Sequence, residues 1–186
     1  MIMLKVLVVI LVGWIVTTQS TVRLYTPQKW DHCPLETPLK IYLDMPKSFT
    51  NSLTVSGHAT LSENINGDLD FVMESSRCSL DMKTCSNEGA VNVKDMCKKM
   101  KKTDEFYSPI FNFIQPRMDC PLQSGNYTLP PVTLDLRFAR LFPVEGYLFT
   151  TTYKVVASDK KMKTKQTIAC LTMELKIVSV NRRNKN

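Results

Sequence analysis

Histidine is scarce in this chain. The 186 residues contain two, His32 and His58. A reaction that needs imidazole as general base has little choice. His32 abuts a cysteine, and His58 falls on the polar side of an alternating segment, where a surface histidine is the ordinary reading. No C-x-x-C pair occurs among the six cysteines, and zinc sites want closely spaced cysteine or histidine pairs. The sequence therefore implies no metal and no cofactor. Also missing are G-x-S-x-G, a Walker loop, H-E-x-x-H and the dinucleotide fingerprint. Carboxylates are present, but no spacing singles out a catalytic pair. The chain reads as a non-enzyme, with an esterase or phospholipase as the weakest alternative. Internal repeats, low-complexity segments and linkers are absent too, so one domain is expected.

The one long apolar run lies at the start, in "MIMLKVLVVILVGWIVTTQS". Lys5 precedes an uninterrupted apolar stretch from Val6 to Val16, and small polar residues follow. That pattern of basic, apolar and small polar parts is that of a secretory signal peptide over 1–20, cleaved near Ser20. The apolar part is shorter than the about 20 residues a spanning helix requires. A secreted protein is expected, with the lysosomal lumen as the alternative destination. The remaining 21–186, roughly 165 residues, suits a single domain with a real core. All six cysteines (Cys33, Cys78, Cys85, Cys97, Cys120 and Cys170) fall in it, and an even count in an oxidising compartment implies three disulfides. Their number leaves the connectivity open. The formal net charge of +7 fits anionic lipid or glycan better than nucleic acid for a secreted chain, although it also serves solubility alone.

Strand patterns dominate what is present. In "NSLTVSGHATLS", Leu53, Val55, Gly57, Ala59 and Leu61 alternate with polar residues, as in a half-buried strand. "LKIYLDM" places Leu39, Ile41, Leu43 and Met45 inward, and "DLDFVM" does the same with Leu69, Phe71 and Met73. Asn66-Gly67 before it is a hairpin turn signal. Downstream, Val132, Leu134, Leu136 and Phe138 alternate. So do Tyr147, Phe149, Thr151, Tyr153 and Val155, and then Ala169, Leu171, Met173, Leu175 and Ile177. Six to eight such strands imply an all-β fold, an antiparallel β-sandwich or β-cup. Only "NVKDMCKKMKK" departs. Val93, Met96, Cys97 and Met100 fall at helical spacing among lysines, with Asn92 placed to cap, so one short amphipathic helix is expected. The next segment, Phe106 to Ile114, is aromatic and bounded by Pro109 and Pro116, which predicts an irregular loop. It is expected either to fold over the mouth of a cavity or to expose an apolar patch, unless it simply packs as core.

Taken in order, "WDHC" (Trp30 to Cys33), "CSLDMKTC" (Cys78 to Cys85), Cys97 in the short helix, "CPLQSGNYTLP" from Cys120 and the late strand cysteine Cys170 resemble the ML (lipid-recognition) domain family. That family includes ganglioside activator-like proteins and the chemosensory B-type proteins of insects. The resemblance spans nearly all of 21–186. It implies a β-cup with an apolar cavity for acyl chains, and disulfides Cys33–Cys170, Cys78–Cys85 and Cys97–Cys120. The chain departs from the activator in lacking a further disulfide between Cys97 and Cys120.

The expected function is that of a secreted, non-enzymatic lipid-binding or lipid-transfer protein, presenting lipid to a membrane, hydrolase or receptor. The alternative is a chemosensory accessory protein that binds a hydrophobic cue. The expected lipid-binding residues on strands are Phe71, Met73, Phe149, Leu171 and Met173. A rim is expected from Phe106, Tyr107, Ile110, Phe111 and Phe113, and a second from Phe138, Leu141 and Phe142. Periodicity alone fits a filled core equally well. The lysines beside Cys97 and those of "DKKMKTK" (Lys160, Lys161, Lys163, Lys165) are candidates for contact with anionic headgroups. Asn126-Tyr127-Thr128 is a glycosylation sequon, with Asn126 as acceptor.

Overall fold

The computed structural model describes residues 21–105, 107–137, 145–159 and 164–181. The expected leader over 1–20, the rim residues Phe106, Phe138, Leu141 and Phe142, and Lys160, Lys161 and Lys163 lie outside the described residues. Eight strands and two short helices follow in order. They are β1 (Thr21–His32), β2 (Leu39–Asp44), β3 (Ser52–Leu61), β4 (Asp68–Ser79), β5 (Cys85–Val93), α1 (Met96–Lys99), α2 (Ser108–Phe113), β6 (Gly125–Asp135), β7 (Tyr147–Asp159) and β8 (Thr164–Asn181). A five-stranded sheet has the order β1-β8-β7-β4-β5, and a three-stranded sheet the order β2-β3-β6. Every pairing is antiparallel. The chain is thus an all-β sandwich, as the alternating patterns imply.

Both sheets present an alternating apolar face. Leu69 of β4, Ala157 of β7 and Ala169 of β8 meet Leu39, Ala59 and Leu61 of the small sheet in one packed cluster. Ile65, Leu122 and Tyr127 close that cluster, with Met100 from just beyond α1. A second cluster holds Val55, Leu129, Val132 and Leu134 of the small sheet, covered by Ile110 and Ile114. The sheets also join along one edge. Tyr25 of β1 exchanges two backbone hydrogen bonds of 2.9 Å with Phe49, and their rings stack at 5.2 Å. The Ile41 N–H of β2 donates to His32 Nε2 at 3.2 Å.

Three disulfides link Cys33 to Cys170, Cys78 to Cys85 and Cys97 to Cys120, the pairing that the family resemblance implies. The first ties the end of β1 to β8. The second closes the β4–β5 hairpin at a directly paired position. The third pins the α1–α2 crossover to the segment leading into β6.

Several local expectations are corrected. Among the described residues a second short helix, Ser108–Phe113, joins the expected one. Val93 belongs to β5, paired with Phe71, so the expected helical stripe shrinks to Met96–Lys99 with Met100 as its end. Asn92 also lies in β5 and caps nothing. Asp95 takes the N-cap position, in a left-handed conformation at φ 56°. The Pro109 segment is helical rather than irregular, because proline is tolerated in the first helical turn, where its missing N–H has no partner to lose. The chain bends at Asn66-Gly67, with Gly67 at φ 108°, but no hairpin results: β3 and β4 lie in different sheets. Ser124-Gly125 leads into β6 without a hairpin. Leu122 bridges to Ile65, the Ser124 N–H donates to Asn64 Oδ1 at 2.7 Å, and β6 pairs with β3.

Gly57 of β3 is paired with Leu43 of β2. A Cβ there would stand 2.1 Å from the Tyr42 carbonyl oxygen and 3.0 Å from Leu43 Cα, both backbone atoms that cannot swing aside. Gly57→Ala is therefore expected to destabilise by roughly 1–3 kcal/mol through forced separation of the strands. Urea unfolding checks this, and a midpoint equal to wild type would refute it.

Candidate functional site

Strand alternation carries the inward face of the large sheet away from the packed end in transverse rows. Phe71, Val155 and Ala169 form one row; Met73, Tyr153, Leu171 and His32 the next. Beyond them run Ser75, Thr151, Met173 and Trp30, then Arg77, Phe149, Leu175 and Pro27. The β1 bulge at Gln28 puts Tyr25 and Trp30, five positions apart, on this same face. Tyr153 is central, its ring 6.0 Å from Phe71 and 6.2 Å from Trp30. The opposite face is polar, as shown by the 2.7 Å ion pair of Lys154 with Glu74.

Of the residues expected to bind lipid, Phe71, Met73, Phe149, Leu171 and Met173 come together on this inward face. Leu171 is buried; the other four are only half-buried. None of the five belongs to either packed cluster. The rim residues separate. Ile110 and Phe111 pack against the clusters. Tyr107 is half-buried, its ring 6.0 Å edge-on to Phe111, while Phe113 is 54% exposed. Helix geometry explains the split, because residues 110, 111 and 114 share one side of a turn while 113 points away.

Residues missed as site members are Trp30, Tyr153, Leu175 and the Thr151–Ser75 pair. Tyr153 and Leu175 were legible by alternation. Trp30 was not, because the bulge breaks the period. Thr151 and Ser75 share a 3.0 Å hydrogen bond between hydroxyls, and Thr151 is 7% exposed. Burial pushes the Tyr153 phenol above its usual range, partly offset by the Thr151 hydroxyl, so it stays neutral near pH 7. Arg77 lies over the Tyr147 ring at 4.6 Å and pairs with Glu88 at 3.1 Å.

Elsewhere, Asn126 and Thr128 are exposed on the outward face of β6, and Asn126 Oδ1 accepts from the Thr60 hydroxyl at 3.0 Å. Lys94, Lys98, Lys101, Lys102 and Lys165 are exposed, though Lys102 is drawn to Glu105 at 3.0 Å. Among the described residues, no group of three or more His, Cys, Asp or Glu could hold a metal ion, and no helix is long and apolar enough to cross a membrane. Compared with protein-family models, the chain matches none, and no curated protein matches it significantly.

Proposed function

We propose that this is a secreted, non-enzymatic lipid-binding protein of the ML type, with acyl chains lying against the inward face of the large sheet. One observation carries the reading. Phe71, Met73, Phe149 and Met173 face the opposite sheet, yet remain half-buried and outside both packed clusters. In a filled sandwich, side chains of this size at mid-sheet would be buried and would join the core. A wall of large apolar groups short of partners supports a space for an apolar ligand. Methionine at two of the four positions suits a lining that adapts to its contents. The matching cysteine framework supports the same family. The exposed lysines beside Cys97 fit a transient stay on anionic membrane before lipid passes to a hydrolase or receptor.

Native mass spectrometry of the protein purified from a secreting host tests the proposal. The expected result is co-purified or exchangeable lipid at one equivalent. A protein that carries none, and takes up none from vesicles, would sink it.

A further inference from the structure

We infer that Trp30 Nε1, supported by the Thr151–Ser75 hydroxyl pair, is a neutral polar anchor within the apolar wall. It selects an uncharged amphiphile bearing a hydrogen-bond acceptor (an ester, ketone or alcohol) over a carboxylate or a plain hydrocarbon. The inference rests on the lipid-binding reading and specifies the ligand class.

The Trp30 indole nitrogen is buried, and it donates to no acceptor among the described residues. An indole N–H only donates, and a buried donor left unpaired is destabilising. Here the donor sits on the wall proposed to hold ligand, in one transverse row with Met173, Thr151 and Ser75. Ser75 and Thr151 share one hydrogen bond at 3.0 Å, and the Thr151 hydroxyl also bonds the Tyr153 phenol, so three hydroxyls joined by two bonds keep one proton free for a further acceptor. Two strand spacings, about 10 Å, separate Trp30 from Thr151, a span that a single headgroup and its first carbons can cover. Met173 stands between them, and its flexible thioether can shift to admit the acceptor to the indole.

The charge balance excludes a carboxylate. Among the described residues two cations alternate onto this face, and each is already matched: Arg77 by Glu88 at 3.1 Å and Arg23 by Glu145. The Tyr153 phenol is held neutral by burial, and His32 accepts a backbone N–H at Nε2, which occupies its lone pair. A carboxylate entering here would be desolvated without a counter-ion, at high cost. An ester or ketone needs only the donor that is offered.

The test measures displacement of a bound fluorescent naphthylamine probe by three ligands of equal carbon count: hexadecyl acetate, octadecane and stearate. Wild type should bind the acetate roughly 3- to 10-fold more tightly than either competitor, as one net hydrogen bond allows. Trp30→Phe keeps an aromatic ring but removes the N–H, so it should bind acetate and octadecane equally. A second readout needs no variant. Trp30 is the single tryptophan outside the expected leader, which holds Trp14, and its indole N–H resonance should move downfield with the acetate and not with octadecane. Equal binding of acetate and octadecane by wild type, an acetate preference surviving in Trp30→Phe, stearate binding tightest, or an unmoved indole resonance would each overturn the inference while leaving lipid binding intact. Failure of all three ligands to displace the probe would instead refute the lipid-binding reading, and the inference with it.

Discussion

Removing the Cys33–Cys170 disulfide by the double substitution Cys33→Ser/Cys170→Ser is expected to cost about 5 kcal/mol, and removing Cys78–Cys85 in the same way about 2.5 kcal/mol. The difference follows from the chain closed by each bond. The sequence separations are 137 and 7 residues, and the entropy that a cross-link removes from the unfolded chain grows with the logarithm of that length. Cys97–Cys120, at 23 residues, should fall between them. Position reinforces the order. Cys170 is buried on the interior strand β8, whereas Cys85 is exposed on the edge strand β5, so a serine hydroxyl is tolerated at the latter and not at the former. A domain of this size has about 5–15 kcal/mol of stability in total, and losing 5 of it should leave little folded protein. Denaturant unfolding without reductant, together with the yield from a secreting expression host, checks the ranking. Equal losses for the two variants would show that loop length does not govern stability here.

How much of this fold is readable in the chain depends on how regularly each strand is half-buried. In β3, β7 and β8, one side faces the core and the other water, so Val55/Ala59/Leu61, Phe149/Tyr153 and Leu171/Leu175 stand out by alternation. In β5, "CSNEGAVNV" has almost no buried side and is exposed along nearly its whole length, so it carries no period to detect. The bulge at Gln28 in β1 shifts the phase between Tyr25 and Trp30, hiding both the strand and a residue of the candidate site. Another bulge, opposite Ser56, lets Pro130-Pro131 sit in the edge strand β6, where a missing N–H costs little. The bend at Asn66-Gly67 is local, set by Gly67 at φ 108°. Which strands it connects depends on distant partners, such as the Ile65–Leu122 bridge, and no local pattern encodes that. The candidate wall was legible as inward-facing positions. That its members remain outside the packed clusters depends on how the sheets meet, which periodicity does not report.

The α2 segment yields the sharpest separation between folding and function. Phe111 packs against the cluster containing Leu61 and Leu122, whereas Phe113, two positions later, projects from the helix at 54% exposure. Phe111→Ser should therefore cost about 2–3 kcal/mol, below the 3–5 expected for a fully buried phenylalanine because Phe111 is half-exposed. Leu122→Ala, at a site 2% exposed, is the fully buried control and should cost about 2–5 kcal/mol. Phe113→Ser should shift stability by no more than about 0.5 kcal/mol, since an exposed ring has little burial to lose. Its Tm should thus stay within about 2 °C of wild type. Under the proposed lipid-binding function an exposed phenylalanine on α2 has a use, however: it can dip into a bilayer and lower the barrier for an acyl chain to leave it. Vesicle-to-vesicle lipid transfer by Phe113→Ser should fall severalfold while equilibrium lipid binding stays unchanged, because the ring contributes to exchange and not to holding. Loss of stability in Phe113→Ser to match Phe111→Ser would assign both rings to the core. Unchanged transfer in Phe113→Ser would move the point of lipid entry away from α2, to the opposite rim beside Phe149 and the Arg77–Tyr147 contact.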